Sequence, residues 1–149
     1  MKIQYQDKII EKDKHITIQE LLAEEISKSE YTVVGAIFNN EYVNLEYRIE
    51  EDGEIQLIDI SSKDGMKIYR RTLIYILGKA FEKICPDEKI FVNYQLTNSM
   101  FCDIENFEIT DEFIKQLTEE MNKIVKQDLP IVQVKMNREQ AERFYQEHN

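Results

Sequence analysis

The chain has 149 residues and a formal net charge of −10, which comes from 29 acidic and 19 basic side chains. Apolar residues make up 42% of it and include 7 Phe and 8 Tyr, a composition that excludes disordered and low-complexity proteins. The acidic balance argues against DNA and against anionic membranes as partners, because affinity for a phosphate surface comes mostly from cations, although a local basic patch stays compatible with it.

The first sixty residues predict a small sheet around one helix. Alternating apolar residues predict a hairpin of strands at Met1–Tyr5 and Lys8–Ile10. Thr17 and Glu20 have the spacing of a capping box and begin a helix that ends near residues 27–30. Further strands are predicted over Tyr31–Phe38, around Tyr42–Val43 and over Glu54–Ile60, after turns at Asn39–Asn40 and Asp52–Gly53. This order predicts an α+β, ubiquitin-like β-grasp domain in residues 1–61.

The remaining residues, 62–149, predict a second α+β region after a break in the pattern at residues 61–65. Apolar residues at three- and four-residue spacing predict a long helix from Met66 to about Ile84, which Pro86 ends. Its apolar stripe is Met66, Tyr69, Leu73, Ile76, Leu77, Ala80, Phe81 and Ile84. Two strands are predicted next, over Lys89–Leu96 and Phe101–Glu105, joined by residues 97–99. Thr110 then caps a second helix, and a strand is predicted over Leu129–Met136. Asn137 and Gln140 cap a last short helix that runs through Tyr145.

The sequence offers no catalytic, cofactor-binding or metal-ligating residue. His15 and His148 stand apart from Cys, Asp or Glu at metal-site spacing, and the four glycines are isolated, so a phosphate-cradling loop is not expected. Cys85 and Cys102 lie in separate segments and are expected to be reduced, buried thiols. The start of the chain has no apolar leader, and no run approaches the ~20 apolar residues of a membrane helix, so a soluble, cytoplasmic protein is expected.

Basic residues cluster on the predicted long helix and on its approach, against the acidic background. Lys79 and Lys83 also lie on this helix, and Tyr69 and Tyr75 could stack on bases between phosphate contacts. The candidate binding residues, named here the basic face, are Lys63, Lys67, Arg70, Arg71 and Tyr75. The same pattern is also typical of the solvated side of an amphipathic helix.

Several phrases resemble a known family. Residues 1–60, with VVGAIFNNEYVNLEYRIEEDGEIQLIDI at their centre, resemble a TGS domain, the ubiquitin-like module of threonyl-tRNA synthetases, a GTPase family and stringent-response synthetases. SSKDGMKIYRRTLIYILGKAFEKICP, NSMFCDIE and NREQAERFYQEHN resemble the additional editing domain that follows TGS in threonyl-tRNA synthetase. The resemblance implies that the editing-like domain is incomplete here, since its downstream residues would fall beyond Asn149.

The resemblance also bears on activity. The synthetase domain edits misacylated tRNA with two histidines four residues apart, and the matching positions here are Arg71 and Tyr75. Arginine cannot act as a base and tyrosine is a poor one near neutral pH, so editing is not expected. SSKDGMKIYRRTL resembles a variant found at the start of bacterial uridine kinase-like proteins, which implies a P-loop kinase domain in cis, outside these 149 residues.

Three functional hypotheses follow. The first is a non-catalytic regulatory module that binds a tRNA-like RNA or a small ligand beside a nucleoside kinase. The second is a stand-alone RNA- or protein-binding TGS module. The third is an aminoacyl-tRNA editing hydrolase, which would need a base that the sequence does not reveal.

Overall fold

A computed structural model describes residues 1–12, 15–96, 99–131 and 134–148 as a mixed α+β protein, as predicted. The strands are β1 (Lys2–Tyr5), β2 (Lys8–Glu11), β3 (Ile16–Thr17), β4 (Val33–Phe38), β5 (Glu41–Val43), β6 (Arg48–Ile49), β7 (Gly53–Asp59), β8 (Ile90–Leu96) and β9 (Ser99–Ile104). The helices are α1 (Ile18–Leu21), α2 (Ala23–Lys28), α3 (Lys63–Ile84), α4 (Asp111–Lys126) and α5 (Arg138–His148). None of the helices in these described ranges is long and apolar enough to cross a membrane.

The chain forms two compact units, Met1–Asn106 and Phe107–Asn149. The first unit includes α3 and the β8–β9 hairpin together with the first sheet, because α3 contacts β4, β7 and β8. The division into domains at residues 1–61 and 62–149 stays a prediction from the sequence pattern.

A five-stranded sheet in the order β2-β1-β7-β4-β5 organises the first unit. Its central pair, β1 and β7, is parallel, with Tyr5 opposite Ile55, while the other pairs are antiparallel. The predicted opening hairpin and the turn at Asn39 and Asn40, with φ values of 47° and 68°, are confirmed. The short pair β3–β6 was not predicted, since two-residue strands carry no periodicity.

One face of this sheet carries the hydrophobic core. The buried side chains are Ile3, Tyr5, Ile18, Leu22, Ala36, Phe38, Ile49 and Ile55. They come from β1, β4, β6 and β7 and from the helical segment between β3 and β4, so the helix closes this face as predicted. The predicted helix is split at Leu22, whose φ of −114° and ψ of 25° interrupt it between α1 and α2.

The capping box of the first helix forms as predicted. The backbone N–H of Glu20 donates to Thr17 Oγ1 at 3.1 Å, and the N–H of Thr17 donates to Glu20 Oε2 at 2.9 Å. Two N–H groups that α1 leaves unpaired at its start are thereby satisfied, which fixes where the chain turns from β3 into the helix.

Helix α3 packs on the opposite face of the sheet. The Cδ1 of Ile68 lies over Gly35 of β4, 3.8 Å from the position that a Cβ at Gly35 would occupy. The helix begins at Lys63, three residues before the predicted start, because Ser62 caps it. The predicted apolar stripe is partly wrong: Tyr69 and Leu73 are exposed, since the first turns of α3 face the sheet through Gly65 and Ile68 instead.

The predicted strand pair after α3 is confirmed as β8 and β9. The strands are antiparallel, with Val92 opposite Cys102 and Tyr94 opposite Phe101, and a bulge lies between Val92 and Tyr94. The Tyr94 and Phe101 rings stack with centroids 5.0 Å apart on an exposed face. Residues 97 and 98 of the predicted connection lie outside the described residues.

The second unit contains α4 and α5. Thr110 caps α4 as predicted, and Phe113 and Leu117 are buried, but Ile114 and Val125 are exposed. The predicted strand over residues 129–136 is wrong for residues 129–131 and 134–136, which have no regular structure; residues 132 and 133 lie outside the described residues. A strand needs a partner for its backbone groups, and no strand pairs with these residues in the described part of this unit.

The last helix begins as predicted. The N–H of Gln140 donates to Asn137 Oδ1 at 2.9 Å, and the N–H of Asn137 donates to Gln140 Oε1 at 3.0 Å. This reciprocal pair caps α5, which continues three residues beyond the predicted end at Tyr145.

Candidate nucleic-acid interface

The start of α3 is fixed tightly to the end of β7. Ser62 Oγ accepts the N–H of Gly65 at 3.0 Å and donates to the carbonyl oxygen of Asp59 at 2.8 Å. Ser61 bonds to the side chain of Asp59 through its hydroxyl and its N–H, and these bonds lower the pKa of the Asp59 carboxyl. The first turn of the helix therefore projects from a defined point on the sheet.

The basic face lies on this helix, and most of it is open to solvent. Lys63, Lys67, Arg71 and Tyr75 are exposed, and Arg70 is half-buried beside them. The four exposed residues recur every four positions, so they form a ridge of about 18 Å at the helical rise of ~1.5 Å per residue. A ridge of this length can meet several consecutive phosphates of a nucleic-acid backbone.

The cations of this face differ in their partners. Lys67 Nζ lies 3.0 Å from Asp64 Oδ1, and farther along the helix Lys79 Nζ lies 2.7 Å from Glu82 Oε2. By contrast, neither Arg70 nor Arg71 has a hydrogen bond or ion pair with any residue that the structure describes. These two guanidinium groups are available to an anionic ligand.

Two residues outside the prediction complete this end of the face. The hydroxyl of Tyr42, on β5, donates to Asp64 Oδ2 at 2.9 Å. The hydrogen bonds from Lys67 and then from Tyr42 lower the pKa of the Asp64 carboxyl, and the Asp64 carboxylate raises the pKa of the Tyr42 hydroxyl. The three-residue spacing of Asp64 and Lys67 could have indicated their pair, but no local signal links Tyr42 to a residue 22 positions away.

The two tyrosines proposed for stacking do not share a surface. Tyr69 and Tyr75 are both exposed, but Tyr69 lies about 160° around the helix axis from Lys67 and from Arg71, the middle of the ridge. Only Tyr75 continues the ridge of Lys63, Lys67 and Arg71. Stacking on a base beside this ridge is therefore open to Tyr75 alone of the two.

The other candidate reactive groups are two histidines and two cysteines. His15 is exposed, with Nδ1 3.6 Å from Glu50 Oε1, and the side chain of His148 is outside the described part of the structure. Cys85 and Cys102 are half-buried free thiols, and burial raises the pKa of Cys102. Within the described ranges, no three His, Cys, Asp or Glu side chains cluster closely enough to hold a metal ion.

A polar groove of about 750 Å³ lies in the first unit and reaches Asp59 at the end of β7. It is lined by α2, the β1–β2 turn and β7, with four carboxylates and two lysines among its side chains. Glu24 pairs with Lys28 at its rim. The surplus of carboxylates makes this groove a poor site for a polyanion.

The sequence of this chain is similar to part of several bacterial threonine–tRNA ligases. The chain is 32% identical over 136 residues to the threonine–tRNA ligase of Caldanaerobacter subterraneus, a match that covers 91% of this chain and 21% of that protein. It is 31% identical over 136 residues to the threonine–tRNA ligase of Clostridium tetani, covering 90% of this chain and 21% of that protein. It is 29% identical over 143 residues to the threonine–tRNA ligase of Clostridium novyi, a match that covers 95% of this chain and 22% of that protein. This chain carries a threonine–tRNA ligase-like region.

The similarity extends over both compact units. No protein-family model matches the chain. The chain spans about a fifth of the length of the threonine–tRNA ligases it matches. Because the matches cover 90% or more of this chain, α3 and its basic face, which lie far from both ends, fall within the ligase-like region.

Proposed function

We propose that this chain is an RNA-binding module that holds tRNA through the basic face of α3 and does not hydrolyse it. The observation that carries the proposal is the pair of guanidinium groups of Arg70 and Arg71, which have no partner among the described residues, on a helix of an otherwise acidic protein. Guanidinium groups bind phosphate through paired N–H donors, so a folded surface that leaves two of them unengaged suits a polyphosphate ligand. The names of the similar ligases make tRNA the first RNA to test.

The first sixty residues are proposed to form a β-grasp domain of the TGS type. The order β2-β1-β7-β4-β5, the parallel central pair and the single helical segment on one face support this proposal. In this proposal α3 packs on the β-grasp sheet, with Ile68 of the helix over Gly35 of β4.

Editing is the family-related activity that the basic face favours least. At the positions that resemble the catalytic histidines, the helix presents the guanidinium of Arg71 and the phenol of Tyr75. A guanidinium stays protonated and a neutral phenol is a poor proton acceptor, so neither serves as a general base near neutral pH. Both can instead contact phosphate and base, which fits binding without hydrolysis.

A kinase domain in cis, similar to uridine kinase, remains a proposal that rests on the resemblance of residues 61–73. In such a protein the present chain would act as a regulatory RNA-binding module. The nucleotide and nucleoside sites would lie outside these 149 residues.

Titration of the chain with tRNA tests the proposed function. Binding is expected at low salt, with an affinity that falls as salt rises and a slope of log affinity against log salt between about −2 and −4 for three to four phosphate contacts. A deacylation assay on mischarged tRNA, run in parallel, is expected to stay at the rate without protein. Lack of binding at low salt would contradict the proposal, and deacylation above background would replace it with the hydrolase.

A further inference from the structure

We propose that Asp64, held in place by Tyr42, is a built-in competitor for phosphate that limits the affinity of the basic face by occupying Lys67. The proposal rests on the RNA-binding function proposed above and identifies how that surface is regulated by its own residues. Tyr42 acts here as a positioning residue, because its hydroxyl holds the Asp64 carboxylate beside Lys67.

The geometry places a carboxylate inside the cationic ridge. Asp64 lies one turn before Lys67 on α3, and its Oδ1 is 3.0 Å from Lys67 Nζ, within charge-assisted hydrogen-bond distance. Its second oxygen, Oδ2, accepts the hydroxyl of Tyr42 at 2.9 Å. Both oxygens are thus engaged, and these two bonds favour the position of the carboxylate beside the lysine, at a surface where about half of each side chain is exposed.

The hydrogen bonds also keep Asp64 charged. Because Lys67 and Tyr42 both stabilise the carboxylate, its pKa is lowered and the group is ionised throughout the neutral range. A phosphate that approaches Lys67 must compete with this fixed anion and is also repelled by it. The same carboxylate does not engage Arg70 or Arg71, which leaves the two arginines as the primary anion contacts.

A merely structural role for Asp64 makes different predictions. An acidic residue in the first turn of a helix stabilises the helix through its dipole, so replacing Asp64 also lowers the stability of α3 slightly. That effect weakens folding but does not create a phosphate contact. Only the competitor role makes the variant bind RNA more tightly and with a steeper salt dependence.

The test compares tRNA titrations of the wild type with those of Asp64→Asn, Tyr42→Phe and Asp7→Asn. Asp64→Asn frees Lys67, and we expect three- to tenfold tighter binding and a salt slope steeper by about 0.7–0.9, the value of one added phosphate contact. Tyr42→Phe keeps the carboxylate but removes its anchor, so a gain between wild type and Asp64→Asn is expected. Asp7→Asn makes the same charge change on an exposed turn at the other edge of the sheet, and its affinity should stay within twofold of wild type.

The outcomes separate this inference from the proposed function. Equal gains in Asp64→Asn and Asp7→Asn, or an unchanged salt slope in Asp64→Asn, would overturn the competitor role while RNA binding by the wild type still stood. Binding by Asp64→Asn where the wild type binds weakly would support it strongly. If neither the wild type nor any variant binds RNA at low salt, the proposed function fails and the inference fails with it. Circular dichroism melts of each variant confirm that the compared proteins are folded.

Discussion

Reversing two charges on α3, in the double variant Arg70→Glu and Arg71→Glu, is expected to weaken tRNA binding by roughly a hundredfold at low salt. The two arginines have no partner among the described residues, so their replacement breaks no ion pair with any of these residues. The variant should therefore lose affinity for RNA and keep its stability. Two phosphate contacts disappear, and two carboxylates now repel the phosphates. Affinities measured across a salt series check this, and the slope of the double variant should be shallower by about 1.5.

A matched control separates a local effect from a change of net charge. Arg138→Glu with Arg143→Glu makes the same two replacements on the exposed surface of α5, where the Arg138 replacement also removes an ion pair with Glu142, so circular dichroism checks that α5 stays folded. Each replacement removes one positive and adds one negative charge, so either double variant changes the net charge from −10 to −14. The α5 variant should retain affinity within a few-fold of wild type. Equal losses in both variants would mean that RNA responds only to the overall charge.

Replacing Gly65 by alanine is expected to have the largest effect on stability. A Cβ at this position would lie 1.8 Å from the carbonyl oxygen of Asp59 and 3.0 Å from Ser62 Oγ, inside the contact that caps α3. The obstacle is backbone, so the first turn of α3 must move away from β7. Overpacking of this kind typically costs about 1–3 kcal/mol, and here it should also disturb the bond between Ser62 and Asp59. Thermal and urea unfolding measure the loss.

Gly78 provides the control for this substitution on the same helix. A Cβ at Gly78 would have no described atom within 4 Å beyond its own stretch of helix, so alanine there is sterically free. Because alanine favours the helix interior over glycine, Gly78→Ala should stabilise the chain by about 1 kcal/mol. Similar stabilities for Gly65→Ala and Gly78→Ala would contradict the packing of α3 against the end of β7.

Local chemistry explains which elements could be predicted from the sequence. Thr17 and Thr110 were identified as caps because a capping residue and the N–H that it accepts lie three positions apart, and both bonds form. The Asn39–Asn40 turn follows in the same way from the tolerance of asparagine for positive φ. Such signals act over a few residues and do not depend on the rest of the fold.

Features that depend on tertiary packing could not be predicted in this way. Tyr69 has the spacing of a core residue but is exposed, because the sheet meets α3 through Gly65 and Ile68. Residues 129–131 have the β-branched and apolar character of a strand, yet they have no strand partner in the described structure. The same holds for the site: helical spacing identified the basic face, whereas the approach of Tyr42 to Asp64 is visible only once β5 and α3 are packed.

Mapping the tRNA contact by NMR tests most directly whether α3 is the RNA-binding surface. A chain of 149 residues is small enough for residue-by-residue amide shifts, which can be followed as tRNA or a short single-stranded fragment is added. The largest changes are expected along Lys63–Tyr75, with the guanidinium signals of Arg70 and Arg71 among them. Changes confined to other surfaces, such as the groove lined by α2 and β7, with α3 unaffected, would contradict the assignment.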